Sequence, residues 1–240
     1  MLGRFLEIGI ATADIRASVE FYERLGFTQA QTGDVWAHPY GVLTDGRVCL
    51  GLHATRLESP ALTFARPEVA GQASALEQLG VEVSTLHAGS EIFNEIGFRD
   101  PAGQPVRLLE ARTFSPADRS TLEPSHCGEF LRLSMPAADI EPVRRFWELL
   151  GFVAGEEAAQ PYPHLILRRE ALELAVHPPG FFPQPLLVFR DGRMAARIAQ
   201  LRELGIPLAH PPRGLHTRAN ALLRAPEGTA LLLLEESANP

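Results

Sequence analysis

The sequence predicts an α+β fold of four βαβββ modules, joined in pairs to form two cupped mixed sheets. Two observations carry this prediction: the chain repeats itself, and each copy alternates strand and helix patterns in the same order. Its 240 residues and 45% hydrophobic content are enough for two small domains with packed cores.

The repeat is marked by three pairs of segments that share one offset of 125 residues, as between Asp14 and Asp139. The pairs are Asp14–Phe27 with Asp139–Phe152, Leu76–Gly80 with Leu201–Gly205, and Asp100–Gly103 with Ala225–Gly228. A single offset indicates a nearly gapless duplication. We therefore expect one domain over residues 1–115, a second over 126–240, and a polar, proline-containing linker over 116–125.

Local patterns predict the elements of each copy. Residues 4–11 alternate in polarity, with Ile8 and Ile10 on one face, as in a strand. Asp14 is a candidate N-cap and Gly26 a candidate stop for the helix that follows. Further strands are expected at 35–43, 47–54, 61–65, 81–85, 95–99 and 105–110, with a second helix at 69–79.

Composition argues against several classes of function. The formal net charge of -7 argues against binding to nucleic acid or anionic membranes, which need a basic surface. The chain contains no lysine, which removes Schiff-base chemistry. Cys49 and Cys127 form no disulfide framework, and neither a signal peptide nor a membrane span is recognisable. We expect a cytoplasmic protein.

Several motifs resemble those of the vicinal oxygen chelate superfamily, which includes glyoxalases, bleomycin-resistance proteins and extradiol dioxygenases. They are the opening Glu7–Ile15, the following Phe21-Tyr22 and Leu25–Phe27, and the turn Asp100–Gly103 before the last strand of the first copy. The resemblance implies a metal ion in each cup, held by His, Gln or Glu from the first, a middle and the last strand. Since the superfamily contains enzymes and drug-binding proteins, the fold alone does not select a function.

The residues at the implied ligand positions do not suit a metal. In the first copy they are Glu7, then Ala61 or the stretch Cys49–Gly51, and Arg107; in the second they are Arg132, then Leu186 or the stretch 173–175, and Leu232. Arginine stays protonated and does not bind cations under ordinary conditions. No cofactor is therefore predicted, with a divalent metal as the less favoured option.

The two arginines at these positions suggest other roles. We expect Glu7 and Arg107 to lie within a few ångströms and to form a salt bridge in place of the metal, or to bind an anionic ligand group together. Arg132 faces Leu232 at the equivalent position, so it should pair with Glu173, reach solvent or contact a bound carboxylate or phosphate.

A tyrosine and a histidine recur at alternate positions of one strand in both copies. Aligned on His53 and His177, the equivalent pairs are His38 with Tyr162 and Tyr40 with His164. Each trio is either a proton-handling cluster or a polar rim without chemistry.

The last strand of the second copy, residues 230–234, is apolar on both faces, so the second cavity should be apolar or filled. The proline-rich stretch His177–Pro183 is a long connection and a candidate interface.

The expected function is that of a glyoxalase/bleomycin-resistance-like protein that binds a small molecule, with an anion as one option, and without the family metal. The alternatives are a superfamily lyase, isomerase or dioxygenase with a divergent site, and a scaffold for a protein partner. The candidate ligand-binding residues are Glu7, Arg107, His38, Tyr40, His53, Arg132, Tyr162, His164 and His177. A monomer or a homodimer is expected, because fused copies can pair internally.

Overall fold

A computed structural model describes residues 1–30, 38–89, 94–111, 124–209, 215 and 219–236. These residues form two mixed sheets of eight and seven strands, with helices packed on one face of each. This is the predicted α+β architecture. The expected linker at 116–125 falls largely on residues 112–123, outside the described residues.

The first sheet spans residues 4–110. Its elements are β1 (Arg4–Ala11), α1 (Ile15–Arg24), β2 (Thr28–Ala30), β3 (Tyr40–Thr44), β4 (Cys49–His53), β5 (Ala61–Arg66), α2 (Gln72–Gln78), β6 (Val83–His87), β7 (Glu95–Arg99) and β8 (Pro105–Glu110). The strand order is β2-β3-β4-β1-β5-β8-β7-β6. Two βαβββ modules therefore meet at the antiparallel pairing of β1 with β5.

The second sheet repeats this plan over residues 129–235. Its elements are β9 (Glu129–Pro136), α3 (Ile140–Leu149), β10 (Val153–Ala158), β11 (His164–Arg169), β12 (Leu172–His177), β13 (Leu186–Asp191), α4 (Met194–Glu203), β14 (Asn220–Arg224) and β15 (Ala230–Glu235). The order is β10-β11-β12-β9-β13-β15-β14. The described part of the fourth module has an isolated bridge, Ala209 to Leu222, where the second module has β6.

Most predicted elements are confirmed, and β7 and β8 have the predicted bounds. The strand expected at 35–43 is observed as β3 from Tyr40 to Thr44, and its residues 35–37 lie outside the described residues. Asp14 caps α1 by accepting a hydrogen bond from the Ala17 amide at 3.0 Å, and Asp139 caps α3 by accepting one from the Glu141 amide at 3.1 Å. Gly26 follows α1 with a positive φ of 88°, a conformation that favours glycine. The short edge strand β2 was missed because three residues give too little periodicity.

The two halves contact each other through equivalent helices. Tyr22 and Ser18 of α1 donate hydrogen bonds to Glu227, in the turn before β15. Trp147 of α3 donates from Nε1 to Asp100, in the turn before β8, at 3.0 Å. Trp147 lies at the repeat position of Tyr22, so each half's first helix contacts the other half's last turn.

No helix in the described part of the chain has the length and apolarity needed to cross a membrane.

Candidate functional site

Each sheet has one face that packs on helices and an opposite face, here called the helix-free face. Alternation along β1 sends Ile8 and Ile10 into the core shared with the helices, whereas Glu7 and Gly9 lie on the helix-free face. Residues that pair on neighbouring strands face the same side of the sheet, so the strand register identifies the other residues of the helix-free face. Glu7 pairs with Thr63, Thr63 with Arg107, and Arg107 with Gly97.

Four polar side chains form a linear chain of hydrogen bonds beside this row. Tyr40 donates from its hydroxyl to Glu7 Oε2 at 2.5 Å, and Glu7 Oε1 lies 3.1 Å from His53 Nε2. His53 Nδ1 lies 3.0 Å from His38 Nε2. Glu7 and His53 are 1% and 0% exposed, whereas Tyr40 and His38 are half-buried. The cluster therefore has a buried centre and two partly accessible ends.

Gly51 makes room for the Glu7 carboxylate. A Cβ atom at Gly51 would lie 2.3 Å from the carboxylate atoms, closer than any real contact. The glycine on β4 thus lets a charged group from β1 lie flat against the sheet and reach His53. This explains why a buried glutamate is tolerated at the sheet centre: it has space and hydrogen-bonding partners.

Arg107 pairs with Glu95 and not with Glu7. Its Nε donates to Glu95 Oε1 at 2.7 Å, and both side chains are largely buried. The predicted Glu7–Arg107 salt bridge is therefore wrong. The reason is strand order: β5 lies between β1 and β8, so the two Cα atoms are two strand spacings, about 10 Å, apart. Glu95 lies on the adjacent strand, two residues before Gly97, and therefore faces the same side.

Thr63 lies between the two charged residues on the intervening strand. Its side chain is fully buried, and its hydroxyl has no hydrogen-bond partner among the described residues. A Cβ atom at Gly9, on the neighbouring strand, would lie 3.4 Å from this hydroxyl and 3.7 Å from His53 Nε2. The unpaired hydroxyl thus lies on the strand between Glu7 and Arg107.

The charges on this face affect His38. Burial lowers the pKa of His38, and nearby His53 and Arg107 lower it further, while Glu95 opposes them. His38 is therefore neutral at neutral pH.

The residues present do not match the metal site that the superfamily resemblance implies. The Glu7 carboxylate is occupied by Tyr40 and His53, Arg107 is a cation, and Ala61 and Gly51 carry no donor atom. In the described part of the chain, no group of three or more His, Cys, Asp or Glu side chains is placed to hold a metal ion. At the implied ligand positions, a divalent cation would meet only the Glu7 carboxylate and the Arg107 guanidinium, which is not a workable donor set.

The helix-free face of the second sheet has the same layout with different chemistry. Arg132, at the Glu7 position, contacts His164 Nε2 at 2.9 Å, just as Glu7 contacts Tyr40. Its Nε lies 3.1 Å from Glu173 Oε1, an ion pair whose angle is unsuitable for a hydrogen bond. The predicted partner Glu173 is thereby confirmed. Burial lowers the pKa of Arg132, and Glu173 opposes that effect.

A second hydrogen-bonded cluster lies next to Arg132. Ser134 Oγ lies 2.8 Å from His177 Nδ1 and accepts from the Tyr162 hydroxyl at 3.1 Å. His177 Nε2 donates to the carbonyl of Phe182 at 3.0 Å. Tyr162, Ser134 and His177 are all buried. The hydroxyls of Tyr162 and Ser134 and both ring nitrogens of His177 are therefore hydrogen-bonded within the protein.

Apolar side chains fill the remainder of the second face. The buried cluster consists of Tyr162, Phe182, Leu186, Val188, Leu222, Ala230, Leu232 and Leu234. Phe182 belongs to the proline-rich stretch His177–Pro183. The Phe182 ring contacts the rings of Tyr162 and His177. The expectation of an apolar or filled second face is confirmed, and the stretch covers that face.

The structure thus brings the predicted site residues together in two groups. His38, Tyr40, His53 and Glu7 form one hydrogen-bonded cluster with Arg107 nearby, and Arg132, Tyr162, His164 and His177 form the other. Sequence reasoning missed Thr63, and it placed the Glu95 carboxylate near the cavity mouth without pairing it with Arg107. A carboxylate two residues before Gly97, on the strand adjacent to Arg107, was the available signal for Glu95.

No protein-family model matches the chain, and no curated protein sequence matches it significantly. The fold does match solved structures. Catechol 2,3-dioxygenase matches at 15% identity and a TM-score of 0.62, covering 98% of this chain and 88% of that one. Homoprotocatechuate 2,3-dioxygenase from Arthrobacter globiformis matches at 16% identity and a TM-score of 0.66, and the match covers 98% of this chain and 80% of that one. An extradiol ring-cleaving dioxygenase from B.fuscum matches at 17% identity and a TM-score of 0.64, and the match covers 99% of this chain and 72% of that one. These likenesses establish the fold of the extradiol dioxygenases, as predicted.

Proposed function

We propose that this chain binds a small molecule on the helix-free face of the first sheet, without the divalent metal of vicinal oxygen chelate enzymes. The observation that carries the proposal is the Thr63 hydroxyl, which is buried and unpaired between Glu7 and Arg107. An unpaired buried hydroxyl costs about 1–3 kcal/mol. A ligand that hydrogen-bonds to the Thr63 hydroxyl recovers that free energy. The equivalent position of the second face is Val188, which has no hydroxyl.

The charges favour a neutral polar ligand over an anion. Arg107 was the reason to expect an anionic group, but Glu95 balances its charge at 2.7 Å. Glu7 adds a further carboxylate to the same face. A molecule with adjacent hydroxyl or carbonyl groups fits this mixture of donors and acceptors without bringing extra negative charge.

Calorimetric titration with catechol and homoprotocatechuate tests both parts of the proposal, because the two compounds share the vicinal diol and only the second carries a carboxylate. We expect catechol to bind more tightly. Thr63→Val should weaken binding about 3- to 10-fold, the equivalent of one hydrogen bond. Thr44→Val is the matched control, since the Thr44 hydroxyl is paired with the Val48 carbonyl at the β3–β4 turn. Equal affinity of wild type and Thr63→Val, or no binding of either compound, would refute the site.

Metal analysis tests the metal-free part separately. Protein purified without added metal should contain substoichiometric zinc, nickel, manganese and iron, and chelator treatment should leave catechol affinity unchanged. Stoichiometric metal that is lost in Glu7→Gln would contradict the proposal.

A second candidate is an enzyme of the superfamily with a divergent, acid–base site. The specific observation in its favour is the hydrogen-bond chain from Glu7 through His53 to His38. If Glu7 is ionised, His53 donates from Nε2 and accepts at Nδ1, so His38 donates to it from Nε2. The pKa of His38 is lowered mainly by burial, which favours the neutral imidazole that a general base needs.

Deuterium incorporation from solvent into hydroxyacetone, followed by NMR, tests this candidate. General-base catalysis contributes about 100-fold or more, so His38→Ala should slow the exchange by that factor. His87→Ala is the control, because His87 lies 4.0 Å from Glu95 but outside the hydrogen-bond chain. If hydroxyacetone binds but its deuterium exchange is no faster than in buffer alone, the enzyme candidate is rejected and the binding function remains.

The cytoplasmic location and the monomeric or homodimeric state are proposed on the sequence alone. Analytical ultracentrifugation of the purified chain measures the second of these directly.

A further inference from the structure

A separate cavity lies between the two halves of the molecule. It has a volume of about 450 Å³ and shares no residue with the site on the first sheet. The first half contributes the segment before β5 and the turn between β7 and β8. The second half contributes the end of β9 and the segment before β13, which includes Pro183 of the proline-rich stretch. Pockets of about 300–1,000 Å³ suit small organic ligands.

Prolines make up much of the cavity wall. They are Pro60, Pro105, Pro136, Pro183 and Pro185. Proline has a fixed φ and no backbone N–H, so these residues present rigid apolar rings and no amide donors. The side chain of Met135 adds buried apolar surface. A rigid wall of this kind loses little conformational entropy when a ligand binds.

Gln104 provides the polar feature of the cavity. It is 3% exposed, and its Nε2 donates to the carbonyl of Pro60 at 2.6 Å and of Pro105 at 3.2 Å. These two acceptors determine the orientation of the amide, because the reversed orientation would set oxygen against oxygen. Gln104 Oε1 is consequently an acceptor, and it has no partner among the described residues. Such an atom calls for a donor that the described part of the chain does not supply.

The charged residues of the cavity cancel each other. Arg99 and Glu58 line it and form a salt bridge with one another, both about half exposed. The pair gives no net charge with which to select an ion. The lining therefore favours an uncharged molecule with an apolar body.

We propose that this interdomain cavity is a second binding site, for a small uncharged aromatic molecule with one N–H or O–H donor directed at Gln104 Oε1. Indole and phenol represent this class. The flat apolar ring lies against the proline rings, and its single donor pairs the acceptor that the protein leaves open. Because the lining comes from both halves, the occupied site links the two sheets.

Titration of isotope-labelled protein with indole and with 1-methylindole, followed by NMR of the backbone amides, tests the proposal. The two compounds have nearly the same ring surface, but only indole carries an N–H. Indole should shift the amide signals of Ala102, Gly103, Gln104 and Met135, and 1-methylindole should bind about 10-fold more weakly. Equal affinity of the two compounds, shifts confined to other residues, or no binding of indole would each overturn the proposal.

Two variants complete the test. Gln104→Met keeps the length of the side chain and removes the acceptor, so indole and 1-methylindole should bind alike. Since Gln104 also holds two carbonyl groups, this variant can lose stability, and Ala102→Phe provides a second route. Ala102 is an exposed lining residue that takes no part in the Gln104 hydrogen bonds, so a phenyl group there is expected to occupy the cavity. Ala102→Phe should abolish indole binding and keep the melting temperature, whereas Ala196→Phe on the exposed side of α4 should change neither. Unchanged indole affinity in Ala102→Phe would refute the site.

Discussion

The two helix-free faces have one backbone plan and opposite chemistry. The first carries Glu7, Thr63 and Arg107 in one row, and the equivalent positions of the second carry Arg132, Val188 and Leu232. In the first face a buried hydroxyl is unpaired and two ends of the hydrogen-bond chain are partly accessible. In the second, Phe182 and a cluster of leucines cover a trio that is paired internally.

The comparison indicates how two sheets of the same plan can differ in stability. One copy fills its face with apolar side chains and gains stability, because burial of each large side chain contributes about 1.5–3 kcal/mol. The other copy keeps polar groups that cost stability unless a ligand pairs them. Changes that exchange features between the two faces should therefore move stability and binding in opposite directions.

The largest expected effect is on the packing of the second face. Phe182→Ala should lower the free energy of unfolding by about 3–5 kcal/mol, because it leaves a cavity against Tyr162 and His177. Urea denaturation measures the loss. Leu57→Ala, at the residue that covers Gly9 on the first face, should cost less because Leu57 is only half-buried. Similar losses in both variants would show that the two faces are packed alike.

A reciprocal pair of substitutions examines the space beside the first carboxylate. Gly51→Ala should destabilise the protein by about 1–3 kcal/mol, because the new methyl group collides with Glu7. Ala175, which pairs with Ser134 as Gly51 pairs with Gly9, already carries that methyl group in the second face. Ala175→Gly should therefore cost only about 0.5–1 kcal/mol. If Gly51→Ala costs no more than Ala175→Gly, the Glu7 carboxylate does not lie where the structure has it.

A second reciprocal pair exchanges the central residue of the row. Thr63→Val should raise the free energy of unfolding by about 1 kcal/mol, because it replaces an unpaired buried hydroxyl with a methyl group of similar shape. Val188→Thr should lower it by about 1–3 kcal/mol, since it places a hydroxyl in the apolar cluster. Urea denaturation of both variants measures the changes. A destabilised Thr63→Val would mean that the hydroxyl has a partner in solution.

The smallest expected effect is a dependence on pH that comes mainly from the second face. Burial lowers the pKa of His164 and of His177 below the ordinary value of 6.5. The unfolded chain therefore binds these protons first as the pH falls, so stability is full above about pH 6.5 and is lost as the pH falls through the lowered values. Urea denaturation at about pH 7.5 and about pH 5.5 should show the loss. His177→Asn should reduce it, and a pH dependence identical to that of the wild type would exclude His177 as a source.

Local sequence patterns were sufficient for most of the fold. The turn Asp100–Gly103 and its flanking alternation set the bounds of β7 and β8, and the caps Asp14 and Asp139 set the starts of α1 and α3. These features depend on neighbours within a few residues, so they can be read along the chain. The equivalence of His38 with Tyr162 and of Tyr40 with His164 also followed from spacing within one hairpin.

The partner of Arg107 could not be read in this way. Glu7 and Glu95 were both available carboxylates, and the choice depends on which strand lies next to β8. Because β5 separates β1 from β8, Glu7 is about two strand spacings away and Glu95 only one. The unpaired state of Thr63 likewise depends on what surrounds it in space.

The sequence by itself predicted the repeated order of strands and helices and the residue types at the positions that the superfamily resemblance assigns to a metal, since each depends on residue type and spacing. Only the tertiary structure decided which polar groups pair, that Phe182 fills the second face, and that a proline-walled cavity with Gln104 lies between the halves. These are contacts between residues far apart in the chain, and sheet order and docking of the two halves bring them together.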